Sequence, residues 1–289
     1  MRQFRKILFS LLLLALLGLG ATVWYLNLSP LILNWVMLQP RSLSGYQADL
    51  DAQPIDGLLD NVSGLTFNHR SGTLWTVINR PAQLAEISTE GRLLRRLPLR
   101  GVNDPEGITH VADDLYVISD EGQNRLHTVR ITSEQTEVIV GREALSVPLQ
   151  QWSNLGLEGV SWDEDRQRLW LVNEKWPRRV SHVDGAFGVY WGTAVDWVHS
   201  PIVEGLLSDL SSLTTNPATG NLLLLSDETA MLVELAADGS WLGTLPLWPG
   251  FAGLTGKVPQ AEGVAVGPDH EIYIVSEPNL FYRFKKSGP

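Results

Sequence analysis

One unit recurs five times along this chain, and a unit too small to bury its own apolar face must stack on copies of itself. The unit is a polar or acidic residue, a small residue, an alternating strand, a polar turn, a second apolar strand and a polar pair. It reads Val62-Ser-Gly-Leu-Thr-Phe67 with Thr73-Leu-Trp-Thr-Val-Ile-Asn79, and then Pro105-Glu-Gly-Ile-Thr109 with Asp114-Leu-Tyr-Val-Ile-Ser-Asp120. The later copies begin at Leu157-Glu-Gly-Val-Ser-Trp162, Leu210-Ser-Ser-Leu-Thr214 and Ala261-Glu-Gly-Val-Ala-Val266. From Ser63 through Glu106, Glu158 and Ser211 to Glu262 the intervals are 43, 52, 53 and 51 residues. Third strands follow, such as Gln83-Leu-Ala-Glu-Ile87 and Met231-Leu-Val-Glu-Leu235, and fourth strands such as Trp241-Leu-Gly-Thr-Leu-Pro-Leu247. Four short strands per unit of about 40–50 residues predict an all-β chain folded as a β-propeller.

The fifth copy stops after three strands, at Leu280-Phe-Tyr-Arg-Phe284, and Tyr46-Gln-Ala-Asp-Leu-Asp-Ala52 stands ready before the first copy. Pairing the two would close the ring and remove an open sheet edge. Five blades are expected, with a degenerate sixth around residues 185–207 as the alternative.

In a propeller blade the first strand lies innermost and the second runs back beside it, so the start of one and the end of the other open on the same face. Glu106, Glu158 and Glu262 stand at the starts of innermost strands, where the other two copies have Ser63 and Ser211, with Asn61 and Asp209 two residues before. Asn79, Asp120, Asn173, Asp227 and Glu277 end the second strands. Carboxylates converging on one channel raise each other's pKa unless a cation sits among them. A donor set of Glu, Asp and Asn fits calcium, which takes six to eight oxygens, better than zinc or copper. The expected metal ligands are therefore Glu106, Glu158, Glu262, Asp120, Asn173, Asp227 and Glu277. The same residues also suit a plainer role, with acid-Gly as a turn device and Asp or Asn ending strands. The outer acids Glu121, Glu174 and Glu228 read as solvated, and residues 248–257 as a connector between blades. The six histidines share no repeat position, and no Gly-x-Ser-x-Gly elbow occurs.

Charge separates the N-terminal segment from the rest. Residues 1–44 contain Arg2, Arg5, Lys6 and Arg41 and no acid, while the remaining 245 residues carry 18 basic and 32 acidic side chains. So acidic a body repels nucleic acid. With no cysteine, disulfides, thiolate metal sites and thiol catalysis are excluded. Residues 1–6 form a basic flank and 7–28 an uncharged apolar run, about the 30 Å of a bilayer core as a helix. The expectation is a single-pass inner-membrane signal anchor, a linker over 29–44, and a propeller over 45–289 in the periplasm. A cleavable signal peptide ending near Gly18-Leu-Gly-Ala21 is the alternative.

The runs Asn61-Val-Ser-Gly-Leu-Thr66, Thr76-Val-Ile-Asn-Arg-Pro81, Val117-Ile-Ser-Asp-Glu121, Gln260-Ala-Glu-Gly-Val-Ala-Val266 and Ile274-Val-Ser-Glu-Pro-Asn279 resemble the SdiA-regulated (YjiK-like) family. Within it they are most similar to the calcium-regulated CarP type. The resemblance implies a membrane-tethered propeller tied to calcium homeostasis, and it implies no catalytic residue. Three functions follow as expectations. The first is a non-enzymatic calcium-binding propeller with a periplasmic protein partner. The second is a calcium-dependent hydrolase that polarises an ester, lactone or phosphate. The third is a metal-free interaction scaffold.

Overall fold

A computed structural model describes residues 2–25, 42–141, 144–146, 156–175, 177–185 and 195–286. They divide into two compact units, Met1–Pro40 and Arg41–Pro289. In the first, α1 (Arg2–Tyr25) is a 24-residue helix on which Leu8, Phe9, Leu14, Leu17 and Leu19 are exposed. The span expected over 7–28 runs past Tyr25 into residues outside the described ones. Among the described residues no helix is long and apolar enough to cross a membrane.

The second unit is a five-bladed propeller. A strand that closes the ring, β1 (Tyr46–Pro54), comes first. Blade 1 is β2 (Val62–Asn68), β3 (Thr73–Ile78), β4 (Gln83–Ile87) and β5 (Leu93–Arg100). Blade 2 has β6 (Pro105–Ala112), β7 (Leu115–Asp120) and β8 (Arg125–Arg130); β9 (Val138–Ile139) then crosses to lie parallel to β5, and β10 (Ala144–Ser146) completes blade 2. Blade 3 is β11 (Leu157–Asp163), β12 (Arg168–Asn173), β13 (Arg179–Asp184) and β14 (Val195–Val198). After the short helix α2 (Pro201–Gly205), blade 4 is β15 (Ser212–Thr215), β16 (Leu222–Ser226), β17 (Met231–Leu235) and β18 (Trp241–Pro246). Blade 5 is β19 (Ala261–Val266), β20 (Ile272–Ser276) and β21 (Leu280–Lys286), with β1 as its outer strand.

Ring closure follows the expectation: β1 pairs antiparallel with β21 from Tyr46↔Lys286 to Pro54↔Leu280. Among the described residues there is no sixth blade. The segment proposed for it supplies β14, which pairs with β13 from Val180↔Val198 to Val183↔Val195, and then α2. Residues 248–257 are a connector that packs inward, with Leu254 buried in the cluster shared by blades 4 and 5.

The core lies between blades rather than within one. Trp75 of blade 1 meets Tyr116 of blade 2 edge-on at 6.0 Å, and Phe67 stacks on Tyr273 of blade 5 at 6.2 Å. All four are buried, as the apolar alternation of these strands requires.

Hydroxyl groups stitch the innermost strands together from blade 1 through to blade 5. At one end, Ser63 Oγ donates to the Glu106 carbonyl at 2.9 Å and Ser211 Oγ to the Ala261 carbonyl at 2.6 Å. At the other end, Thr66 Oγ1 accepts from His110 N, Thr109 Oγ1 from Trp162 N and Ser161 Oγ from Thr215 N, at 2.8–2.9 Å.

The glycine after each acid has a steric cause. A Cβ on Gly107 would stand 2.7 Å from the Glu158 carbonyl oxygen, and one on Gly263 would stand 2.7 Å from the Gly64 carbonyl carbon. Neither glycine has a positive φ, so close approach of two backbones, not a turn angle, selects the residue. Pairing slips by one residue at this place in four blades, between Ser63 and Leu65, Pro105 and Ile108, Leu157 and Gly159, and Ala261 and Gly263. Such a bulge re-aims a side chain. Here it re-aims Ser63, Glu106, Glu158 and Glu262.

Gly107→Ala is expected to cost about 1–3 kcal/mol, the usual penalty of overpacking. Gly256→Ala, where nothing lies within 4 Å of the added Cβ, should change stability by less than about 0.5 kcal/mol. Denaturant unfolding of both variants checks the contrast.

Candidate functional site

At the end of the channel where the innermost strands begin lies a cavity of about 290 Å³ lined by fourteen residues, all polar. Glu106, Glu158 and Glu262 enter it from β6, β11 and β19, with Ser63 and Ser211 in the equivalent places. Asn79, Glu121, Glu174, Asp227, Glu228 and Glu277 reach it from the ends of second strands, and Asp209 and Gln260 from just before innermost strands. Nine carboxylates therefore surround one ammonium, that of Lys175. Lys175 Nζ pairs with Glu174 at 2.9 Å and with Glu228 at 2.7 Å, joining blades 3 and 4. The Glu228 contact, then the Glu174 contact, holds its pKa above the usual lysine value against burial.

The glutamate trio carries the strain. Glu106 is 9 % exposed and accepts a 3.0 Å bond from Asn79 Nδ2. Burial pushes its pKa up to about 7, with Asp104 and Glu121 adding to the rise and the Asn79 and Ser63 hydrogen bonds opposing it. Burial pushes Glu262 up to about 9, helped by Asp227, Glu106 and Glu277. Glu158 is also 9 % exposed. Burial first, then Glu106, Glu121, Glu174 and Glu262, hold it well above the carboxylate range. Among the described residues no donor reaches its carboxylate.

The rim is better satisfied. Asp209 accepts from Ser226 Oγ, from Asp227 N at 3.2 Å and from Glu228 N at 3.1 Å. Burial nevertheless raises it to about 6. Glu121 accepts from Gly156 N at 3.0 Å, and burial raises it, as it does Asp227 and Glu277.

Of the seven expected ligands, Glu106, Glu158, Glu262, Asp227 and Glu277 line this cavity, while Asp120 and Asn173 are not brought to it. Asp120 is fully buried and turned the other way. Its Oδ2 accepts from Asn103 N and Gln123 Nε2, both at 3.3 Å, and lies 3.7 Å from His127 Nε2. Neighbouring side chains on a strand point to opposite faces, so Ser119, which bonds the Glu158 carbonyl, and Asp120 cannot both face blade 3. The chain leaves β7 through a short turn over Glu121–Gln123, and Glu121 enters the cavity instead of Asp120. Glu174 does the same instead of Asn173. These two, with Glu228, are site residues rather than solvated ones.

Asp104 was not anticipated. Carboxylate oxygens of Asp104, Glu106 and Glu121 lie within 4.8 Å of one another. The signal was a polar residue two places before the innermost-strand landmark in four of the five blades: Asn61 before Ser63 and Asp209 before Ser211, and equally Asp104 before Glu106 and Gln260 before Glu262. All the donors are carboxylate, amide or hydroxyl oxygens, a set suited to a hard cation.

A carboxyl group whose pKa is higher in the folded state binds protons more tightly there, so its stabilising effect is whole below the unfolded value and is lost as pH rises through the folded one. For Glu262 that window runs from the usual glutamate value of 4.5 to about 9. In chelator, the melting temperature is expected to fall steadily from pH 5 to pH 9. Glu262→Gln should flatten that fall, as scanning calorimetry across the pH series would show.

Residues 39–285 match the model of the SdiA-regulated family. Among solved structures, the chain is similar to a glutaminyl cyclase of Myxococcus xanthus, at 16 % identity and a TM-score of 0.59, covering 83 % of this chain and 96 % of that one. It is also similar to regucalcin, a calcium-binding protein of Agrobacterium tumefaciens, at 14 % identity and a TM-score of 0.55, covering 83 % and 93 %. At these identities the likeness is one of fold. The family match spans nearly the whole propeller, and the chain belongs to the SdiA-regulated family.

Proposed function

We propose that this protein is a non-enzymatic, calcium-binding β-propeller of calcium homeostasis or signalling. The observation that carries the reading is Glu158. It is a carboxylate nine-tenths buried, with no donor among the described residues, aimed into a cavity it shares with Glu106 and Glu262. An unpaired buried carboxylate is costly, and it is relieved by a proton or by a cation. A calcium ion bound in this cavity would release protons from its carboxyl groups and meet its need for oxygen ligands. Binding should therefore tighten as pH rises. The calcium-binding description of regucalcin agrees with this assignment, as does the family resemblance. A purely polar lining offers no apolar wall on which to seat an organic substrate, which favours ion binding over hydrolysis. The basic residues Arg2, Arg5 and Lys6 and the exposed leucines of α1 support a tether at the inner membrane. With it, the propeller would face the periplasm and present its calcium-dependent mouth to a protein partner.

Calcium titration of the full-length protein is expected to give saturable heat. At a hundredfold excess over the dissociation constant, stabilisation should reach about 2.7 kcal/mol, or about 5–10 °C in melting temperature for a domain of this size. Glu158→Gln should lose that rise, yet melt higher than wild type in chelator, because a neutral amide removes the repulsion. No heat and no thermal shift in the wild type would overturn the assignment.

A further inference from the structure

The channel has a second mouth, where the innermost strands end. Residues from all five blades enclose there a cavity of about 150 Å³ that shares none of its lining with the acidic one. Its walls differ in kind. Phe67, Val111, Trp162 and Val266 supply apolar surface, and Thr66, Thr214 and Asn216 set polar groups between them. Aromatic and apolar walls with a few placed polar groups are the usual form of a small-molecule site. The hairpins around it are already shaped, since Asp163 Oδ1 accepts from Arg166 N and Asn216 Oδ1 from Ala218 N, both at 3.0 Å. Little ordering is left for a ligand to impose.

A second observation points to a ligand here, because the polar groups are unspent. Thr66 is 8 % exposed and its Oγ1 accepts from His110 N at 2.9 Å, yet among the described residues its own hydrogen meets no acceptor. Among them, too, the Thr214 hydroxyl has no partner, and Asn216 Nδ2 has no acceptor. His69 lies edge-on to Phe67 at 5.0 Å and makes no hydrogen bond through its ring. His110 Nε2 donates to the Asp113 carbonyl at 3.0 Å, which leaves Nδ1 as an acceptor. Buried donors without acceptors cost free energy until something takes them up.

Charge narrows the occupant. Asp163 is buried and paired with Arg166 Nη1 at 2.9 Å, while Glu164 and Asp165 stand exposed at the rim and repel an anion. Burial, joined at His69 by the neighbouring His110, lowers the pKa of both imidazoles and keeps them neutral at pH 7. Hydroxyl and amide hydrogens are wasted on a cation, which accepts no hydrogen bond. We infer that this mouth binds a sugar, as one neutral pyranose ring laid against Trp162. Thr66, Thr214 and Asn216 donate to its oxygens, His110 and Glu164 accept from its hydroxyls, and its C–H face covers the indole. The site stands apart from the calcium assignment and does not depend on it.

The test is saturation-transfer NMR with calorimetry on the full-length protein. The probes are the methyl glycosides of glucose, galactose and mannose, with butylamine and citrate as charged alternatives. At least one glycoside should bind saturably. Trp162→Ala should weaken it by about tenfold or more, and Thr214→Val and Asn216→Ala by about threefold to tenfold each. Glu158→Gln, in the other cavity, should bind as wild type does. Circular dichroism confirms that each variant folds, and Thr214 and Asn216, both half-buried, keep the test open where Trp162→Ala does not. No transfer to any of the three glycosides would overturn the sugar site. So would glycoside binding that Thr214→Val and Asn216→Ala leave unchanged, or saturable binding of butylamine or citrate in place of the glycosides.

Discussion

Everything in the propeller depends on how near five backbones can come around one axis. Gly64, Gly107, Gly159 and Gly263 put bare backbone where a Cβ would collide with the next blade, and the ladder slips around each of them. That slip turns the residue before the glycine toward the channel. Packing and chemistry are thus one decision, since the contact that brings the blades together also desolvates Glu106, Glu158 and Glu262. Stability elsewhere, in the inter-blade aromatic pairs and the hydroxyl stitches, keeps those carboxylates in a place they would otherwise leave.

Two kinds of relief are visible for the resulting repulsion. Lys175 is a permanent one, fixed by its contacts with Glu174 and Glu228. Protonation is the other, and the raised pKa values of Glu106, Asp209 and Glu262 show how much of the ring depends on it. Low pH therefore rests the site, and alkaline pH loads it.

The ring was readable in the sequence because each blade repeats both a period of two and a small residue in register. Thr73–Ile78 and Ile272–Ser276 are short runs buried on both faces, which mark strands packed between blades. The glutamate trio was readable for the same reason, being tied to the glycine. The strand ends were less so. Period-two counting stops where the strand stops, and one residue of uncertainty there exchanges Asp120 for Glu121 and Asn173 for Glu174. The pairing of Lys175 with Glu228 joins two blades across the mouth, a contact that no local pattern encodes. Asp104 stood in a repeat position visible at Asn61 and Asp209, just outside the run that begins at Pro105. A sixth blade is not found among the described residues because Val195–Val198 pairs within blade 3.

The seam between β1 and β21 sets a timetable for the making of the protein. Tyr46 pairs with Lys286, so this strand must wait for a partner made some 240 residues later. The hairpins of blades 1 to 4 need only local neighbours, and they can form while the chain is still emerging. Blade 5 cannot, and until it closes the ring its partner edges stay open to other chains. Loop closure over so long a stretch adds only a slowly growing entropy cost, so the delay costs little stability. It lengthens instead the interval in which a newborn chain is vulnerable to aggregation, and it makes that seam the place where a chaperone would be most useful.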